Sequence, residues 1–219
     1  MRKRILIISG GISKERTISL DTGRQVANEL IKNDYIVKIT EPSFQLNNVI
    51  KTFKPNVIFN ALHGQFGEDG YIQTILEASN IPYTHSGVIS SALAMDKELS
   101  KNIFVKNNIL TPKYFIYHFD KKKLDLIKLI NKKLKFPVVI KPLNEGSSVN
   151  VFICKKSNII KKINMLKNYK KIMIEQFIPG REIQVAIMGK KKLGAIELKP
   201  KRKFYDYEAK YKKSAQTKH

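Results

Sequence analysis

Through its first hundred residues the chain alternates short apolar runs with stretches of helical periodicity, and that alternation leaves few folds open. Ile5 to Ser9 reads as a buried strand, stopped by Gly10-Gly11. Ser19 to Lys32 then places Leu20, Val26, Ala27, Leu30 and Ile31 at helical spacing. Tyr35 to Thr40 predicts a second strand, Leu46 to Phe53 a short helix, Asn56 to Leu62 a third strand and Ile72 to Ser79 another helix. Strands alternating with helices imply a parallel sheet with helices on both faces. Ligands of such sheets bind beyond the carboxyl ends of the strands. Two glycine-bearing loops, Gly10 to Ile18 and His63 to Gly70, stand at those ends.

The pattern changes near residue 95. A helical stretch, Asp96 to Asn108, is stopped by Pro112. Tyr114 to Tyr117, Val138 to Lys141, Val151 to Cys154 and Ile172 to Gln176 predict strands, with helices over Lys121 to Lys133 and Lys156 to Leu166. Ile183 to Met188 and Leu193 to Leu198 read as a hairpin turning over Gly189 to Lys192. This second part has the character of an α+β domain. The expected fold class is therefore mixed α/β and α+β. Boundaries fall near residue 95 and, more weakly, near 180, giving segments 1–95, 96–179 and 180–219.

Composition narrows the setting. Hydrophobic residues make up 42% of the 219, enough for a sizeable core and too many for a disordered chain. No run approaches the roughly 18 apolar residues that span a bilayer. The basic start, Met1-Arg2-Lys3-Arg4, is followed by too short an apolar run for a secretory signal, which needs about 7–15 such residues. A cytoplasmic protein without membrane contact is expected. Cys154 is the only cysteine, so no internal disulfide forms and no cysteine-based zinc site exists. The net charge of +23 is nearly all Lys, with six Arg, and the Lys clusters flank apolar positions as solvated faces do. Arg is the better phosphate and base reader, so a nucleic-acid partner is not expected. A positive field still favours an anionic ligand.

Five segments carry candidate chemistry. Gly10-Gly11-Ile12-Ser13-Lys14-Glu15-Arg16-Thr17-Ile18-Ser19 joins a strand to a helix without forming G-x-G-x-x-G. Glu15 there suits an ammonium, or is a surface residue paired with Arg16 or Lys14. His63-Gly64-Gln65-Phe66-Gly67-Glu68-Asp69-Gly70 can wrap a small ligand with His63 on an anionic group, or is a turn-rich connector with Asp69 capping a helix. In Lys141-Pro142-Leu143-Asn144-Glu145-Gly146-Ser147-Ser148-Val149, a strand-end Lys leads into a small hydroxyl-bearing loop. That grouping suits phosphate, though a polar turn is the plain alternative. Glu175-Gln176-Phe177-Ile178-Pro179-Gly180-Arg181-Glu182 can offer backbone groups to an adenine edge, apolar walls from Phe177 and Ile178, and the Glu182 carboxylate to ribose; it is otherwise an ordinary strand end. Phe204-Tyr205-Asp206-Tyr207-Glu208-Ala209-Lys210-Tyr211 reads as a surface strand or a mobile lid.

In this order and spacing, together with Ser86-Gly87-Val88, Ser90-Ser91-Ala92-Leu93 and Met95-Asp96-Lys97, the five segments resemble the D-alanine–D-alanine ligase family of ATP-grasp enzymes. The resemblance implies a Rossmann-like pre-ATP-grasp domain followed by an ATP-grasp domain whose C-terminal part is incomplete here. It implies ATP-dependent joining of two D-alanines through an acyl phosphate, for peptidoglycan precursors, by a homodimer. By resemblance Glu15 holds the first D-alanine's ammonium and joins Ser147 and Tyr211 in a hydrogen-bonded set. His63 lies near that substrate's carboxylate. Lys97, Lys141 and Lys210 sit on the nucleotide phosphates beside Ser148. Glu175, Gln176, Phe177 and Ile178 take adenine, and Glu182 the ribose.

Three departures from the family pattern stand out. Asn150 follows Val149 where Gly is usual, and His85 precedes Ser86 where Gly is common. The chain ends at Thr217-Lys218-His219, whereas family members continue into a part that binds magnesium (or manganese) and carries a transition-state Arg. As given, the chain is expected to hold no metal, to bind ATP weakly and to turn over poorly. The competing expectations are an inactive ATP-binding fragment and another ATP-grasp ligase, such as one joining D-alanine to D-lactate.

Overall fold

The computed structural model describes residues 2–120 and 125–199. The chain divides into two compact units, Met1–Ser100 and Lys101–His219.

In the first unit β1 (Arg4–Ile8), β2 (Ile36–Thr40) and β3 (Val57–Asn60) form a parallel sheet in the order β2-β1-β3. The period-2 alternation of a strand sends successive side chains to opposite faces. Ile5 and Ile7 join Ala27 of α1 (Arg16–Lys32) on one face. Leu6 and Ile8 join Ile50 of α2 (Leu46–Phe53) and Leu76 of α3 (Tyr71–Glu77) on the other. Burying both faces is why β1 is apolar throughout its last four positions, with Leu6, Ile7 and Ile8 fully inaccessible. Each such side chain contributes roughly 1.5–3 kcal/mol over its exposed state. Gly23 lets α1 lie close against the end of β1, since a Cβ there would stand 2.6 Å from the Ser9 side chain.

Two details differ from the sequence expectation. Strand β3 stops at Asn60 rather than Leu62, because the Asn60 side chain turns the chain: its Oδ1 accepts from the Leu62 N–H and its Nδ2 donates to the Gly67 carbonyl. An extra helix, α4 (Val88–Met95), precedes α5 (Lys97–Lys106). Its sequence has almost no polar face, so periodicity does not mark it.

In the second unit β4 (Tyr114–His118), β5 (Val138–Pro142), β6 (Phe152–Cys154) and β7 (Lys171–Gln176) form an antiparallel sheet in the order β4-β7-β5-β6. One face carries Val138, Ile140, Ile172 and Ile174 against α6 (Leu126–Lys133) and α7 (Ile159–Asn164). The predicted helix over Lys121 to Lys133 is seen from Leu126, where Asp125 caps it by accepting from the Lys128 N–H; its first residues lie outside the described ones. The opposite face carries Tyr114, Val139, Lys141, Met173 and Glu175 by register. A separate antiparallel ribbon, β8 (Glu182–Met188) with β9 (Lys191–Leu198), has a bulge at Ala186/Ile187 and exposes Ile183, Val185 and Ile187.

Candidate functional site

The first cluster of candidate residues lies at the carboxyl ends of β1 and β3. Ser13 Oγ donates to the His63 carbonyl at 2.7 Å, which ties the two glycine-bearing loops together. Glu15 is 5% exposed at the start of α1, with its carboxylate close against the Gly64 backbone. The His63 ring reaches Thr22 of α1, Nε2 to Oγ1, at 3.1 Å. Arg16 does not pair with Glu15. It makes a two-pronged contact to Glu41, 2.6 and 3.1 Å, which in turn accepts from the Gly11 N–H at 3.2 Å. The guanidinium beside it holds the Glu41 carboxyl below its usual range, against a smaller opposing effect of burial.

The acids of the second loop shape the loop itself. Glu68 Oε2 accepts from the Gly64 N–H, and Asp69 accepts from Phe66 and Tyr71 N–H groups. Asp69 thus organises the turn before α3, whose N-cap is Gly70 without a side-chain cap. Beside both loops opens a largely apolar cavity of about 430 Å³, walled by Gly11, Ile12, Phe44, Leu62, Phe66 and Ile75 and bordered by His63. Predominantly apolar walls with few convergent polar groups are the usual make-up of a small-molecule pocket. His85, where the family pattern has Gly, adopts a left-handed backbone with φ +76 and aims Nε2 at the Asn60 carbonyl, 2.8 Å away.

The second cluster lies in the second unit, on the sheet face opposite α6 and α7. Lys141 and Glu175 are diagonal neighbours across β5 and β7, close enough for long side chains to meet. The Lys141 ammonium contacts Glu175 Oε1, and the other carboxylate oxygen takes Lys101 Nζ at 2.7 Å. Lys101 also lies over the Tyr114 ring, 4.8 Å from its centroid. By resemblance Glu175 belongs to the adenine segment, yet its carboxylate is bound between two ammonium groups. Sequence reading missed Lys101, because a Lys in a basic helix looks like one more solvated charge.

The loop after Lys141 is held under backbone strain. Ser147, Ser148 and Asn150 all have positive φ, +44, +58 and +56, in a region that costs ordinary residues about 1–2 kcal/mol each. Asn150, at a position where the family has Gly, thus occupies a glycine-like conformation. Both ends of the loop are pinned to one hydroxyl. Tyr169 donates to Glu145 Oε1 at 2.6 Å and accepts from Asn150 Nδ2 at 2.9 Å. Tyr169 is a second residue that sequence reading did not single out. Strain of this kind is characteristic of ligand-handling loops.

At the end of β7 the Gln176 and Phe177 N–H groups donate to the Lys113 and Pro137 carbonyls, at 2.9 and 3.4 Å. Those two donors are spent within the sheet. Ile178 and Glu182 are exposed. Lys97 starts α5 in the first unit, partly buried. Lys210 and Tyr211, with the rest of the proposed lid, lie outside the described residues. Among the described residues no three His, Cys, Asp or Glu side chains group to hold a metal ion. Among them, too, no helix is long and apolar enough to cross a membrane.

Residues 37–86 match the family model described as D-ala D-ala ligase N-terminus, and residues 105–219 that described as D-ala D-ala ligase C-terminus. The chain is 70% identical over 219 residues to a D-alanine–D-alanine ligase of Pelagibacter ubique (strain HTCC1062), covering 100% of this chain and 72% of the relative. It is 42% identical over 209 residues to that of Wolbachia pipientis wMel, covering 94% and 65%. Among solved structures, D-alanine–D-alanine ligase from Bacillus anthracis superposes with a TM-score of 0.81 at 34% identity, covering 99% of this chain and 70% of that one. The same enzyme complexed with ATP gives 0.75 at 31%, covering 94% and 68%. The chain therefore spans 65% to 72% of the length of these relatives.

Proposed function

Since the chain belongs to the D-alanine–D-alanine ligase family, we propose that it supplies the first-substrate pocket and much of the nucleotide site for ATP-dependent formation of D-alanyl-D-alanine. One observation carries this reading: the Glu15 carboxylate is buried between the two glycine-bearing loops at the carboxyl ends of β1 and β3. An amino acid's ammonium is complementary in charge to that carboxylate, and the carboxyl ends of a parallel sheet's strands are where its ligands bind.

Glu15 receives the ammonium of the first D-alanine, and His63 faces its carboxylate. Lys141, with Lys97 and Lys210, neutralises the nucleotide phosphates. Ser147 and Ser148 present hydroxyls from the strained loop, with Ser147 completing a set with Glu15 and Tyr211. Backbone groups around Gln176 to Ile178 receive adenine, and Glu182 receives ribose. The carboxylate oxygen of the first D-alanine attacks the γ-phosphorus and ADP departs. The amine of the second D-alanine then attacks the acyl carbon, loses a proton, and phosphate leaves. Such chemistry asks the protein for positioning and charge neutralisation rather than covalent help.

Magnesium or manganese is expected of the family's full-length enzyme. Segments 1–95, 96–179 and 180–219 are read as substrate domain, central nucleotide subdomain and start of the C-terminal subdomain. The whole protein is proposed to work as a cytoplasmic homodimer.

Product analysis tests the reading. The full-length protein, given ATP, a divalent metal and an equal mixture of D-alanine and D-lactate, is expected to yield the dipeptide. A product made chiefly of D-alanyl-D-lactate would contradict it.

A further inference from the structure

The Lys101–Glu175–Lys141 cluster holds two ammonium groups against one carboxylate, and the three are unequally placed. The side chains of Lys101 and Glu175 are 6% and 9% exposed, while that of Lys141 keeps 20% of its surface open. Lys101 is also the only buried residue of α5. Burial of an ammonium is unfavourable, and it pushes the Lys101 pKa down, with Glu175 opposing that shift and the Lys141 charge adding to it. A Lys nonetheless stands at the closed end of the cluster, between Glu175 and the Tyr114 ring.

We propose that Lys101 is a positioning residue for the nucleotide site: by taking one oxygen of Glu175 it holds that carboxylate at the back of the sheet face and leaves Lys141 with a net positive charge to offer phosphate. Without Lys101, Glu175 would pair with Lys141 alone. The cluster would become neutral, and Lys141 would be drawn towards the carboxylate and away from an incoming anion. Lys101 itself does not reach the ligand, since its ammonium is enclosed by Glu175 and Tyr114. The proposal rests on the reading of this face as a nucleotide site.

The test compares ATP with adenosine, which lacks the phosphates, by calorimetric titration of the full chain. Lys101→Met is expected to weaken ATP about ten-fold or more while adenosine changes by about two-fold or less. Lys101→Arg, which keeps the charge, is expected to stay within about three-fold of the unaltered protein for ATP. Adding Glu175→Gln to Lys101→Met removes the uncompensated carboxylate and is expected to restore ATP binding to within about three-fold. A purely structural role for Lys101 would weaken ATP and adenosine in equal proportion and would not be rescued by the second change; either result overturns the proposal. Should Lys101→Met not fold, the double variant decides alone: recovery of ATP binding supports the proposal and loss overturns it. If the unaltered chain binds adenosine and ATP equally, or neither, the nucleotide reading fails and this proposal with it.

Discussion

Gly64 faces Glu15 so closely that a Cβ on Gly64 would stand 2.8 Å from Glu15 Oε2, and Gly64 itself has a left-handed backbone at φ +70. The carboxylate proposed to receive the substrate ammonium is therefore fitted against bare backbone. Gly64→Ala is expected to weaken D-alanine binding about ten-fold or more, through displacement of the carboxylate and a strain of about 1–3 kcal/mol. ATP binding should change little. Parallel titrations with the two ligands check this; equal loss of both would count against a dedicated role for the Glu15–Gly64 contact.

Lys141→Ala should act in the opposite sense. It removes the most accessible charge of the Lys101–Glu175–Lys141 cluster. ATP affinity is expected to fall about ten-fold, as for loss of one charge-assisted contact, with D-alanine affinity less affected. A larger loss for D-alanine than for ATP would overturn the role assigned to Lys141.

Tyr169→Phe deletes a hydroxyl that holds Glu145 and Asn150 at the two ends of the Ser147–Ser148 loop. The aromatic body stays packed on the second unit's core, so the stability loss is expected to be about 1 kcal/mol. The local effect should be larger: amides of residues 146–150 exchange faster with solvent while those of β5 and β7 do not. Unchanged exchange across the loop would show that Tyr169 does not hold it.

Cys154 supplies a pH dependence. The thiol is fully buried on β6, and burial pushes its pKa up to about 11. The unfolded thiol titrates near 8.5. Between those values the folded chain keeps a proton that the unfolded chain releases, so stability falls as pH rises from about 8.5 to about 11 and is unaffected by this group below that range. Thermal melts at pH 8 and pH 10 should show a larger drop for the unaltered protein than for Cys154→Ala. An equal drop in both would contradict the assignment. Native Cys154 should also resist alkylation at pH 8.

Strands β1 and β7 were legible because they are buried. Leu6 to Ile8 and Ile172 to Ile174 are apolar because packing demands it, and their short runs stand out against a Lys-rich background. The hairpin of β8 and β9 was legible from its turn at Gly189, whose φ is +58. Helix α4 was not, since it lacks a polar face, and the early stop of β3 depends on hydrogen bonds of one Asn that no period encodes. At the candidate site, Glu15, His63 and Lys141 were singled out by type and position. Their neighbours were harder to find. Lys101 became distinctive only when the fold brought it to Glu175, 74 residues away, and Tyr169 only when its hydroxyl met both ends of a loop.

The most direct measurement is phosphate release from ATP by the full-length protein, with a divalent metal present, as a function of the amino acid supplied. Release strictly dependent on D-alanine, and about two orders of magnitude lower in Glu15→Gln, is expected if Glu15 holds the substrate ammonium. Release that is supported equally well by L-alanine or by 2-hydroxy acids, or that is indifferent to Glu15, would contradict the account.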